Sequence, residues 1–187
     1  MKLVQMPVDL LHVDEARLPE LGVDRRLLVA FDAYRAEGAG QGGTEWANAK
    51  SLAILAPPEA GTRALLMVLA RRVGAALRDE NIRARDGGGP RRGGKRLCYL
   101  PGRVLPEAFR SESARRTLAS DAACFFQDLD QAWGRSDGSR LDPRLLVALV
   151  DARLASGRAT FLSAATNGLP DGLERELRAR VRVLEAA

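Results

Sequence analysis

Apolar positions recur in two alternating rhythms along this chain, one helical and one continuous. Leu27, Leu28, Phe31 and Tyr34 fall at helical spacing and predict a helix over 24–37. A glycine-rich connector at 38–43 follows, and the unbroken apolar run at 52–56 then predicts a strand. Leu65, Leu66, Val68, Leu69, Val73 and Leu77 return to helical spacing over about 61–77. Farther on, the pattern predicts a strand at 97–100, a helix, whole or broken, over 106–118, and a strand at 122–127. Asp142-Pro143, a cap followed by a proline, opens a helix that Gly157 stops. A strand at 160–164, a helix at 171–179 and a short apolar end at 181–184 complete the alternation. Short apolar strands alternating with helices predict a parallel sheet covered on both faces.

Two segments stand outside this rhythm. Residues 1–22 carry Pro7 and Pro19 and read as an irregular arm. Residues 83–96, rich in glycine and arginine, read as a flexible basic loop. The expected organisation is an N-terminal arm and helix at 1–43 and one α/β domain at 44–187.

At 187 residues, 46% of them hydrophobic and 28% charged, the chain is long enough to bury a sizeable core. No apolar run reaches the roughly 20 residues of a membrane span, and the first residues lack a signal-peptide core. A cytoplasmic protein with no membrane partner is expected. Two cysteines without metal-ligand spacing argue against a zinc site, and the single histidine, His12, has no identifiable partner. The net charge of +5 comes mostly from arginine and leaves nucleic acid open as a partner without requiring it.

The turn after the first strand has the frame of a phosphate-binding loop, strand–loop–helix, without its chemistry. With Gly61 as the second glycine of G-x-x-x-x-G-K-[ST], Ala56 takes the first glycine's place, Thr62 the lysine's and Arg63 the hydroxyl residue's. Ala56 and Glu59 crowd the loop, Glu59 adds negative charge, and Arg63 would repel the metal. The third strand runs into Gln127-Asp128, where P-loop ATPases carry an acidic pair for magnesium and for the attacking water. Gln127 falls on the metal-binding position, and a neutral amide is a poor magnesium partner. Asp128 falls on the catalytic carboxylate; solvation of the strand end is the alternative reading for Asp128 and Asp130. No ATP, magnesium or other cofactor is expected.

With these parts in place, the chain resembles the AAA+ ATPase core over about residues 50–184. The resemblance is closest to the bacterial replication-initiator and helicase-loader (DnaA/DnaC-like) branch. The stretch from Leu145 through Gly157-Arg158 to Ser163 is similar to the helix, turn and fourth strand of those loaders. The resemblance implies a P-loop NTPase-like α/β three-layer sandwich, with a five-stranded parallel sheet in order 5-1-4-3-2. That order makes the strands of Cys98 and Cys124 neighbours and both residues core. It implies a polar sensor at the end of the fourth strand: an ungapped count reaches Ala165, whereas a count back from Leu173 reaches Asn167, the preferred position. An ordinary turn asparagine is the alternative. Leu177-Arg178-Ala179-Arg180 is similar to the family's arginine-finger pattern, with the finger on Arg180, or else a solvated helix end. The helical lid of the family finds no residues after 184.

Three functions follow from this reading. The first is a catalytically inactive AAA+-like domain that binds another protein, an ATPase or a second copy of itself, as a scaffold or regulatory module. The second is a DNA-associated accessory factor of replication, transposition or segregation, with Arg91, Arg92, Lys95 and Arg96 touching nucleic acid or an acidic partner. The third is an unconventional ATPase, or one completed by a partner.

Overall fold

The computed structural model describes residues 13–39, 49–86, 95–133 and 140–186. Five strands form one sheet: β1 (Leu52–Ala56), β2 (Leu97–Pro101), β3 (Ala123–Gln127), β4 (Ala159–Ala165) and β5 (Arg182–Glu185). Every adjacent pair is parallel and the order is β2-β3-β4-β1-β5, the expected 5-1-4-3-2 read from the other edge. The helices are α1 (Arg25–Ala39), α2 (Thr62–Asp86), α3 (Leu105–Arg110), α4 (Glu112–Ser120), α5 (Pro143–Ala155) and α6 (Leu173–Arg178).

Successive side chains on a strand point to opposite faces, so the continuous apolar runs feed two separate cores. On one face Leu52, Ile54, Phe125 and Phe161 meet Phe31 of α1 and Leu65, Leu66, Leu69 and Val73 of α2. The Phe125 and Phe161 rings stack there at 4.5 Å between centroids. On the other face Ala53, Leu55, Phe126 and Leu162 meet Phe109, Leu118, Leu146, Val150 and Leu177. Among the described residues, no helix is long and apolar enough to cross a membrane.

Local signals set the helix boundaries. Asp142 accepts a hydrogen bond from Arg144 N at 2.9 Å, with Pro143 in the first turn. Ser111 breaks the helix expected over 106–118 into α3 and α4, because its hydroxyl caps Ala114 N at 3.3 Å from an extended backbone.

Two expectations need correction. Helix α2 runs on to Asp86, so Arg83–Asp86 belong to a helix and not to a basic loop. Arg and Ala are good helix formers, and glycines begin only at Gly87. Lys95, also placed in that loop, is held: its backbone N and O both bond the Asn81 side chain, and its ammonium pairs with Glu80 at 2.5 Å. Arg91 and Arg92 lie outside the described residues. The second correction concerns residue 43 as a boundary. Val13, Leu18, Val23, Leu27, Phe31 and Tyr34 are buried in the same core as β1 and α2, and Tyr34 donates to Lys50 O at 2.6 Å. The described part of the arm and α1 therefore belong to the body of the domain.

One arginine fastens the amino-terminal edge of the sheet. Arg153, on α5, is fully buried and donates to the carbonyls of Leu118, Asp121, Ala122 and Ala159 and to the Thr160 hydroxyl. It thereby joins α5 to the end of α4 and to the starts of β3 and β4. Burial lowers its pKa, opposed by Cys124, Asp121 and Cys98, and the guanidinium stays charged. Replacing it removes all of these bonds from the interior, so Arg153→Met should cost about 3–5 kcal/mol in urea denaturation. Arg158→Met, which removes a bond to Ala119 O from a half-buried side chain, should cost about 1 kcal/mol.

Candidate functional site

In a parallel sheet all strands end on the same edge, and here that edge collects Ala56, Gln127 and Ala165. The turn leaving β1 is a single 3-10 turn, Pro58–Ala60, closed by Ala60 N bonding Pro57 O at 2.9 Å. A phosphate cradle is built from backbone N–H groups. Pro57 and Pro58 have none, so two successive positions of the loop cannot donate.

Gly61 adopts φ 72°, a left-handed conformation that favours glycine. A β-carbon there would lie 2.8 Å from Val23 Cα and 2.9 Å from Val23 N. The arm before α1 thus runs directly against the loop, and Asp24 N donates to Ala60 O at 3.1 Å. Thr62, in the lysine's place, is the buried first residue of α2, while Glu59 is exposed. Ala56 is fully buried, and its carbonyl accepts from Thr166 N at 3.1 Å.

Arg63 reaches across to the end of β3 and pairs with Asp128, 3.2 Å between Nη2 and Oδ2. In a nucleotide-loaded P-loop this hydroxyl position and the first of the strand-end acids hold magnesium; Gln127 takes that acid's place here and Asp128 the next one. Here a guanidinium takes the hydroxyl's position and is paired with the carboxylate that falls on the catalytic place. The same Asp128 oxygen accepts from the Gln127 amide at 2.6 Å, and Asp128 N donates to the Ser163 hydroxyl at 3.1 Å. Gln127 in turn accepts from the Tyr99 hydroxyl. Burial pushes the Tyr99 pKa up, the Asp128 carboxylate adds to this and Arg63 opposes it, so the phenol remains a donor. Asp128 itself has φ 50°, and its carbonyl would lie 2.1 Å from any β-carbon at Gly102. Asp130 is also engaged, accepting from Ala165 N at 2.9 Å. Both aspartates therefore hold strand ends together, beyond simple solvation.

Asn167 occupies an exposed turn at φ 64°, a conformation asparagine tolerates, and makes no side-chain hydrogen bond to another described residue. The polar side chain of β4 that touches the strand-end pair is Ser163, fully buried. Arg180 lies near the opposite edge of the sheet, lining a cavity of about 340 Å³ with Lys50, Arg158 and Arg182. Its guanidinium bonds Asp151 at 2.7 and 3.2 Å and Glu176 at 2.7 Å. The Asp151 hydrogen bond is the largest cause of its raised pKa. A role toward a neighbouring chain would require this guanidinium to exchange those carboxylates for another anion.

Sequence reasoning missed Tyr99, Ser163 and Val23. A serine inside an otherwise apolar strand was the one available signal, and it pointed to Ser163.

No family model matches the sequence, and no curated protein matches it significantly. Solved structures do match. The DnaI structure matches with a TM-score of 0.60 at 11% identity, over 97% of this chain and 95% of that one. The DnaC helicase loader gives 0.56 at 11% identity, over 88% and 92%. A DNA replication initiation factor gives 0.57 at 11% identity over 90% of this chain, which spans 48% of the initiator chain. The chain shares the fold of these loader and initiation-factor structures, the fold the resemblance implied.

The geometry separates two substitutions. Gly61→Ala must hold an L-residue at positive φ against the Val23 backbone and should lower stability by about 3 kcal/mol in chemical denaturation. Arg63→Ala opens an ion pair whose arginine is half exposed and should cost less than about 1 kcal/mol.

Proposed function

We propose that the chain is a catalytically inactive AAA+-like domain that serves as a protein-binding or regulatory module beside a replication-type ATPase. The observation that carries this reading is the Arg63–Asp128 pair, which places a guanidinium at a magnesium-ligand position and engages the carboxylate that falls on the catalytic place. A bound divalent cation would have to displace a guanidinium and then accept Gln127, a neutral amide, as a neighbour. Pro57 and Pro58 weaken the anion cradle further. The likeness to DnaC, DnaI and an initiation factor supports placing the protein among replication-associated assemblies. Calorimetric titration with ATP and magnesium should give no saturable heat up to about 1 mM, an affinity of roughly −4 kcal/mol or weaker. A micromolar Kd would overturn the reading.

A second reading, DNA-associated accessory factor, draws on exposed Arg83, Arg85 and Arg96, which flank the segment containing Arg91 and Arg92. Contacts of this kind would be sequence-neutral and sensitive to salt. If they form, binding of duplex or single-stranded DNA should weaken by at least tenfold between about 50 and 200 mM salt. Neutralising Arg91, Arg92 and Arg96 should remove most of it, and neutralising Lys95, already paired with Glu80, should remove least. Binding that is absent, or unchanged in the variants, excludes this reading.

A further inference from the structure

The amino-terminal edge of the sheet holds a second cluster of reactive groups, unrelated to the loop after β1. Cys98 and Cys124 stand directly opposite each other in the parallel register of β2 and β3; both are buried and outside any disulfide, and the Cys124 thiol donates to Leu118 O at 3.4 Å. Asp121, in the turn between α4 and β3, directs its carboxylate to the same place. One ligand atom from each of the three residues lies within 4.8 Å of the other two. Sequence spacing gave no hint of this, because the register brings together residues from two separate strands.

The carboxylate is the telling group. Asp121 is only 7% exposed, yet its side chain accepts no hydrogen bond from, and closes no ion pair with, any other described residue. Its neighbour Arg153 has its own N–H groups directed at backbone carbonyls and the Thr160 hydroxyl. A buried carboxylate without a donor is costly, and such groups are normally paired or bound to a metal.

We propose that Cys98, Cys124 and Asp121 form a binding site for one thiophilic divalent cation of the zinc class. Two sulfurs and one carboxylate oxygen suit zinc and disfavour magnesium or calcium, which take oxygen ligands. Tetrahedral zinc holds such donors about 3.5–3.8 Å apart, so small side-chain rotations from the present spacing suffice.

The charges balance before and after binding. Without metal, the Arg153 cation offsets the Asp121 anion while both thiols keep their protons. On binding, each thiol releases one proton to solvent and the two S–H bonds are replaced by two metal–sulfur bonds. Two thiolates, one carboxylate, one dication and one guanidinium again sum to zero. No uncompensated charge is created in the interior.

The test uses the full chain, stripped with chelator, kept reduced so that no disulfide competes, and titrated with Co²⁺ and then Zn²⁺. One equivalent of cobalt should produce thiolate-to-cobalt charge transfer in the near ultraviolet, which zinc removes. About two protons should be released per metal in weak buffer. Zinc should also raise the melting temperature. Cys98→Ser and Cys124→Ser should each abolish the charge-transfer band, and Asp121→Asn should weaken binding about tenfold or more. No band in the folded wild-type chain, or a band that survives both cysteine substitutions, overturns the proposal. Should the cysteine variants fail to fold, Asp121→Asn decides, and an unchanged affinity in that folded variant also overturns it.

Discussion

Burial of the central strands between two helical layers leaves their ends as the places where polar side chains can act. Strands β1 and β3 are buried at every residue, so side chains along their length are committed to one core or the other. Polar groups that enter the sheet must find partners at its two edges, since an unpaired one in the interior costs about 1–3 kcal/mol. Parallel pairing then sorts them. The carboxyl ends gather Arg63, Gln127, Asp128 and Ser163, and the amino ends gather Arg153, Asp121 and the start of β4. Each edge is organised around an arginine, one half exposed and one wholly buried.

The two arginines have different consequences. Arg153 supplies donors to the carbonyls of Leu118, Asp121 and Ala159, and the joints between α4, α5, β3 and β4 depend on it. Arg63 supplies a charge. In a nucleotide-binding P-loop the balancing cation arrives with the ligand, whereas here it belongs to the chain. Asp128 already faces a cation of the chain's own at 3.2 Å.

The strand positions and most helices were legible because each rests on a local, repeated pattern, whereas the sheet order was legible only through the resemblance. LAILA and ACFFQ declare themselves as buried strands, and the leucines of α2 keep helical spacing. Composition misleads where it stands in for conformation: the arginines at 83–86 read as a loop although nothing there stops a helix. The Arg63 and Gln127 substitutions were visible as departures from a motif, but their pairing through Asp128 was not, because Arg63 and Asp128 meet only when β1 and β3 end on one edge. Arg153 was hidden by its own abundance. In a chain with 29 lysines and arginines, burial cannot be read from residue type, and only the topology shows that this one lies inside.

Gly61 shows why a motif's glycine is weak evidence for the motif's ligand. In a phosphate loop the glycine permits the backbone to approach the phosphate. Here its φ of 72° and the 2.8 Å separation of its missing β-carbon from Val23 already require glycine without any ligand. The arm before α1 approaches the loop so closely that any side chain at this position would collide with backbone. The proline pair on the other side of the turn has a parallel effect, fixing the chain's direction while removing donors. The strand–turn–helix unit is therefore held by its own packing, with Val23 and Ala60 O fastening it to the arm and Arg63 to β3. A turn held this way keeps its shape whether or not phosphate is ever present, and its shape alone carries no information about nucleotide.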